Sequence, residues 1–297
     1  MLVPDPAALS TEVKALYPFA VRDFVTPNGV MRFVDHGPKD GPAVLLLHGN
    51  PSWSFLWRNL IIKLAARGFR VIAPDHVGMG LSARPDKFLR LEDRIRDVHG
   101  LVDFLGLKQF HLGVHDWGGA IGFGLATRCP ERIGNILVTN TGAFLSERIP
   151  ARIAICRWPL VGRFIVQNLN GFAWPATWMA VEKPMTQAVK AGFLAPYQST
   201  GVRRAVADFV ADIPMEANHP TRTTLAAVEA GLPLLKGKRI LLLWGLKDFC
   251  FDATFLAGFE TRFPQAQKLI FPAAGHYVLE DAGEAAIGPA ADFFGQS

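Results

Sequence analysis

Residues 113–122 read Gly113-Val114-His115-Asp116-Trp117-Gly118-Gly119-Ala120-Ile121-Gly122. The apolar run QFHLGV before them has the character of a buried strand, and AIGFGLATRC after them that of a helix. Small residues directly after position 116 let the helix begin close to the strand, which pushes residue 116 up on a tight turn. This is the layout of a nucleophile elbow, with an aspartate where serine is usual. Val114 stands where the commonest pattern of this kind has glycine, so the match is partial. An aspartate ahead of a helix can also serve simply as its N-cap, and the rest of the chain has to decide between the two.

Outward from the elbow, short apolar β-rich runs alternate with helical patterns. The expected strands are MRFVDHG, AVLLLHG, RVIAPDH, QFHLGVH, NILVTNT, RILLLWG and QKLIFPA. Between them, LEDRIRDVHGLVDFLGL places Leu91, Ile95, Val98, Leu101, Val102 and Leu105 on one helical face. Buried strands joined by helices imply an α/β fold, a mainly parallel central sheet flanked by helices. Ligands bind such sheets at the carboxyl ends of the strands.

The alternation fails between about Phe144 and Thr223. That stretch is helical, irregular and rich in aromatics: Trp158, Phe164, Phe172, Trp174, Trp178, Phe193, Tyr197 and Phe209. Residues 1–143 and 224–297 are expected to form the core. Residues 144–223 are expected to form an inserted helical cap over the active edge, lined by those large apolar side chains. A mere extension of the core is the plainer reading of the same segment.

With 297 residues, half of them apolar, the chain can bury a large core, and one domain with an insertion fits better than two domains. The net charge of +5 is scattered, without a run of five like charges, and reads as solubilising charge rather than a nucleic-acid or anionic-membrane surface. Cys129, Cys156 and Cys250 form no CxxC or metal-ligand spacing, as expected of reduced thiols in the cytoplasm. MLVPDPAALSTEVKALYPF lacks a basic start and a long apolar run, so no signal peptide is expected. Nothing approaches the ~18 uncharged apolar residues of a membrane span. No metal or cofactor is called for.

An acid and a base follow the elbow. RILLLWG runs into Gly245-Leu246-Lys247-Asp248, and QKLIFPAAGHY reaches His276. Asp116, Asp248 and His276 each come just past an expected strand, in nucleophile, acid, base order. Asp252 is an alternative acid. His48 and His115 flank loops and read as structural, and His36, His76, His99, His111 and His219 more so. After AVLLLHG, the loop at Asn50 can present backbone N–H groups and its amide to a developing anion. Trp117 offers an indole N–H that donates and cannot accept, although a core role would also explain it. Two convergent donors in a pocket without Lys or Arg suit a soft anion leaving an apolar molecule. A carboxylate nucleophile suits displacement at an sp³ carbon, giving an alkyl ester whose carbonyl belongs to the enzyme. Water activated by His276 would then attack Asp116 itself.

The segments HGNPSWSFLWRNLI, PDHVGMGLS, HDWGGAIG and AGHYVLED resemble the haloalkane dehalogenases of the α/β-hydrolase superfamily over nearly the whole chain. The resemblance implies Asp116 as nucleophile, His276 as base, Asp248 as its orienting acid, and Asn50 with Trp117 as the anion-stabilising pair. An acid after RILLLWG and none in NILVTNT, combined with Asn50, is similar to the third subgroup. NGFAWPATWMAV, GFLAPYQSTGVRRAVADFVADIP, WGLKDFCFD and FPAAGHYVLED further resemble the β-lactone decarboxylases of bacterial long-chain olefin biosynthesis. That likeness implies decarboxylation of a cis-3-alkyl-4-alkyl-oxetan-2-one to a cis-alkene, with haloalkane dehalogenation as the alternative. It also implies the thiolase, reductase and lactone-forming enzymes of that pathway as partners, and leaves open whether they share an assembly. Loose membrane association stays open too.

Epoxide hydrolases share the aspartate but use cap tyrosines, and only Tyr197 of Tyr17, Tyr197 and Tyr277 falls in the cap. Fluoroacetate dehalogenases place arginines around the elbow, where this chain has Trp117. A serine esterase needs serine at 116. A non-catalytic scaffold with this fold would be expected to have lost a member of the Asp116, Asp248, His276 set.

Overall fold

A computed structural model describes residues 3–295. Met1 and Leu2, the start of the stretch read for a leader, lie outside it. Eight strands form one sheet: β1 (Val21–Thr26), β2 (Gly29–His36), β3 (Ala43–Leu47), β4 (Arg70–Pro74), β5 (Phe110–Asp116), β6 (Ile133–Thr141), β7 (Ile240–Gly245) and β8 (Gln267–Phe271). Their order is β1-β2-β4-β3-β5-β6-β7-β8. β1 and β2 pair antiparallel, as do β2 and β4, and the remaining neighbours are parallel.

All seven expected strands form. β1 was not among them, because VRDFVT carries Arg22 and Asp23 and lies mostly exposed at the sheet edge. Edge strands are kept polar against aggregation, so their periodic signal is weak.

The central strands are covered on both faces. Along β3, Leu45 and Leu47 pack into one cluster with Ile72, Leu112, Val114 and Val138. Val44 and Leu46 join a second, with Val71, Ala73, Leu137 and Leu243. Fully burying such a side chain contributes about 1.5–3 kcal/mol. The continuous apolar spelling AVLLL is therefore what a doubly covered strand requires.

Sheet order reverses at β3. β4 lies on one side of it and β5 on the other, so the loops after β3 and β5 diverge at a topological switch point. Asn50 follows the first of these strands, and Asp116 ends the second.

Candidate active site

The elbow is built by sterics. Asp116 has φ 52° and ψ −127°, a conformation that non-glycine residues rarely adopt. An N-cap residue normally has an extended backbone and accepts a bond from the helix start. Asp116 lacks that backbone and makes no capping bond of that kind to the helix Trp117–Ala126, so capping does not account for it. The register between β5 and β6 shifts between His115 and Asp116. A Cβ at Gly119 would lie 1.9 Å from Thr141 Oγ1, so only glycine lets the helix lie this close to β6. The departure at Val114 has a steric counterpart one helical turn on: a Cβ at Gly122 would lie 2.5 Å from Val114 Cγ1. The side chain that is added at 114 is subtracted at 122.

Asp116, Asp248 and His276 are all buried and come together. His276 Nδ1 donates to Asp248 Oδ2 at 2.8 Å, which turns Nε2 towards Asp116 Oδ2, 3.8 Å away. Asp252, the alternative acid, instead caps the helix Ala253–Arg262 and pairs with Arg148 at 3.3 Å.

The carboxylate of Asp116 rests on backbone donors. The Asn50 N–H reaches Oδ1 at 2.5 Å, and the Trp117 N–H also bonds the group. A Cβ at Gly49 would overlap that carboxylate, at 2.0 Å from Oδ1. Burial pushes the Asp116 carboxyl up to about 6, against the pull of His276 and the two N–H groups. For His276, burial acts downward, but the charges of Asp248 and Asp116 outweigh it and leave the imidazole raised.

The Asn50 amide gives one N–H to the Val206 carbonyl at 3.1 Å, leaving its second N–H for the cavity that Asn50 lines. Trp117 lines the same cavity, and its indole N–H bonds no other described residue. The two donors thus border one space together with Asp116 and His276.

That cavity, about 280 Å³, has walls that are largely apolar, including Phe144, Ile153, Phe172, Met179, Leu225 and Phe251. It sits at the lower end of small-molecule pockets. Two expectations need correction here. Of the eight aromatics expected to line it, only Phe172 does; Trp158, Phe164, Trp174 and Trp178 are exposed, and Phe193, Tyr197 and Phe209 are buried elsewhere. Nor is the pocket free of arginine: Arg148 and Arg152 line it from exposed positions. Asp252 engages the first, and the second lies over the Phe249 ring at 4.3 Å.

Tyr197 is not on the cavity wall. Its hydroxyl donates to the Ser52 carbonyl at 3.2 Å, so it does not serve as the cap acid of an epoxide hydrolase. Cys250 and Cys156 do line the wall, but burial raises both thiols, and Asp248 and Asp116 raise Cys250 further, which disfavours a reactive thiolate at either. Among the described residues no group of three His, Cys, Asp or Glu could hold a metal ion.

Two contributors were not read as part of the site. Asn140, at the end of β6, donates to Asp248 Oδ2 at 2.9 Å and to the Gly245 carbonyl at 3.0 Å, while its own Oδ1 accepts from Gly245 N–H at 2.9 Å. The spelling NILVTNT shows an asparagine at a strand's carboxyl end, which was noted only as the absence of an acid. His115, expected to be structural, donates from Nε2 to the His276 carbonyl at 3.0 Å. Burial and the neighbouring His276 hold its imidazole well below its ordinary value, hence neutral.

With this geometry in place, comparison with known proteins is informative. A family pattern described as the alpha/beta hydrolase fold matches residues 42–283. The chain belongs to the α/β-hydrolase family. This α/β-hydrolase is 39% identical over 272 residues to a cis-3-alkyl-4-alkyloxetan-2-one decarboxylase of Xanthomonas campestris, covering 88% of this chain and 90% of the relative. It is 38% identical to the protein of that name in Shewanella oneidensis, over 92% of this chain and 87% of the other. It is also 32% identical to haloalkane dehalogenase 2 of Mycobacterium tuberculosis, over 94% and 93% of the two chains. Among solved structures, a haloalkane dehalogenase from Bradyrhizobium elkani superposes with a TM-score of 0.85 at 26% identity, over 93% of this chain and 98% of that one. Its relatives therefore include both haloalkane dehalogenases and decarboxylases.

Proposed function

We propose that this α/β-hydrolase decarboxylates cis-3,4-dialkyl β-lactones, with Asp116 as nucleophile, His276 as its partner base, Asp248 as the orienting acid, and Asn50 and Trp117 as anion donors. The observation that carries the reading is a carboxylate on the elbow, held by two backbone N–H groups and facing an apolar cavity. Residues 144–223 act in it as the cap. The likeness to the two relatives named as decarboxylases, which spans cap and core alike, supports placing decarboxylation ahead of dehalogenation.

In the proposed course, an Asp116 oxygen attacks the alkyl-bearing sp³ ring carbon bonded to the ring oxygen. That C–O bond breaks, and the freed carboxylate is received by the Asn50 amide and the Trp117 indole N–H. The carbon–carboxylate bond then breaks to release carbon dioxide, its electron pair forms the alkene, and Asp116 departs with its own oxygens. Inversion in the first step and anti fragmentation in the second turn a cis lactone into a cis alkene, and no water is consumed. The imidazole, raised by the two carboxylates beside it, faces the charge of Asp116 before the attack and again after its departure.

Dehalogenation is the second reading. It is favoured by His276 Nε2, which stands near enough to Asp116 for a water between them to be activated, and by the N–H pair that would stabilise a tetrahedral intermediate at the Asp116 carbonyl. Turnover in ¹⁸O-water, followed by mass spectrometry of the peptide bearing Asp116, separates the two. Decarboxylation leaves that peptide unlabelled while alkene accumulates. Label in Asp116, accompanied by an alcohol or a β-hydroxy acid, overturns the proposal in favour of hydrolysis.

A further inference from the structure

The cap segment from Arg148 to Val181 has two apolar faces. Its helices Ala151–Arg157 and Ala173–Met179 present Ile153, Cys156, Ala176 and Met179 to the cavity. Their other sides, with the chain between them, are bare: Trp158 is 58% exposed, Leu160 85%, Phe164 54%, Trp174 56% and Trp178 44%. Eight of the thirteen large apolar side chains exposed among the described residues fall between Ile155 and Trp178. Scattered exposed apolar residues are ordinary, whereas this concentration marks an interaction surface. Leu160 is moreover held outward by a backbone at φ 60°, a conformation leucine adopts only against strain.

We infer that this outer face docks on an anionic phospholipid bilayer, seating the cap in the headgroup boundary so that apolar substrate passes from lipid into the cavity. Three observations favour a bilayer as the occupant. The exposed set is dominated by tryptophan and aliphatic side chains, the composition of interfacial anchors. From Arg148 to Val181 the chain carries four arginines and no acid. Acids from outside the stretch, Asp252, Glu216 and Asp208, engage Arg148, Arg157 and Arg163, but Arg148 and Arg163 keep 64% and 43% of their side chains exposed and Arg152 pairs with no acid among the described residues. Finally, the same two short helices carry this face on one side and cavity-lining residues on the other, so a single helical layer lies between lipid and cavity. The docking surface requires only an apolar substrate and stands whichever bond Asp116 attacks.

The test is sedimentation with vesicles of phosphatidylcholine containing phosphatidylglycerol, together with quenching of tryptophan fluorescence by brominated lipid. The wild-type chain is expected to sediment and to be quenched, and less so with pure phosphatidylcholine. A triple variant, Trp158→Ser, Trp174→Ser and Trp178→Ser, is expected to partition about tenfold less or weaker. Where that variant folds poorly, quenching is read in Trp117→Phe, because Trp53, Trp57 and Trp244 are fully buried and Trp117, on the cavity wall, is the one other tryptophan outside the docking face. Absence of both sedimentation and quenching overturns the inference, as does equal partitioning by a folded triple variant. So does a dimer by light scattering that the variant dissolves without any lipid binding; the face would then belong to a second copy.

Discussion

The sheet-edge framework and the segment 144–223 follow different rules. Around β3, β5, β7 and β8, each candidate site residue lies at or a short offset beyond a strand's carboxyl end, and the first three strands are buried along nearly all their length, so its position is dictated by the sheet. In the inserted segment the helices between Ala151 and Ala211 are at most eight residues long and one-sided packing is partial. Which side of such a helix looks inward is decided by neighbours distant in sequence. Trp174 and Met179 lie on one short helix, yet the first faces solvent and the second the cavity. In the proposed function the framework carries the chemistry and the inserted segment acts as the cap over it.

The strongest way to break that division is at the elbow. Asp116→Asn should lower turnover by about 10⁴-fold, since burial keeps the two thiols on the cavity wall, Cys156 and Cys250, from replacing it. The same variant should be more stable. Burial raises the Asp116 carboxyl from 3.8 to about 6, so its ionised form opposes folding; the penalty is absent below pH 3.8 and complete above about pH 6. At pH 7 the neutral amide removes at most about 3 kcal/mol of it, and a Tm rise of about 2–4 °C is expected by calorimetry. A Tm that falls would show that the carboxylate is structural.

Asn140→Leu removes a donor from Asp248 and both bonds to Gly245. It should reduce kcat by about tenfold to a hundredfold with little change in KM, because it disturbs the orientation of His276 and not substrate binding. An altered KM with intact kcat would place Asn140 outside the catalytic framework. The pH profile sharpens the same point: turnover should fall as pH drops through about 6, where Asp116 takes up its proton. A profile flat to pH 4 would contradict an ionised Asp116 as nucleophile. Smallest is Asp252→Ala, expected to leave turnover within about twofold while removing about 1 kcal/mol of helix capping. A large loss of activity there would return Asp252 to the role of acid.

The contrast also marks how far the sequence can be read. Doubly covered strands announce themselves as apolar runs, and Asp116, Asp248, His276 and Asn50 stand at strand ends, where chemistry gathers in a parallel sheet. β1 escaped notice because an edge strand has little to bury. Asn140 escaped because an asparagine at a strand end becomes meaningful only when its distance to Asp248 is known. The aromatic content of 144–223 was legible, but not its direction, and four of its eight aromatics turn outward. Arg148 and Arg152 reach the cavity from loop and helix-start positions that periodicity does not resolve.

The most direct measurement is proton NMR of the products formed from a synthetic cis-3,4-dialkyl β-lactone by the wild-type chain and by Asp116→Ala. Cis-vinyl signals from the wild type and none from the variant are the predicted result. Unchanged lactone or a β-hydroxy acid from the wild type, or alkene from the variant, would contradict it.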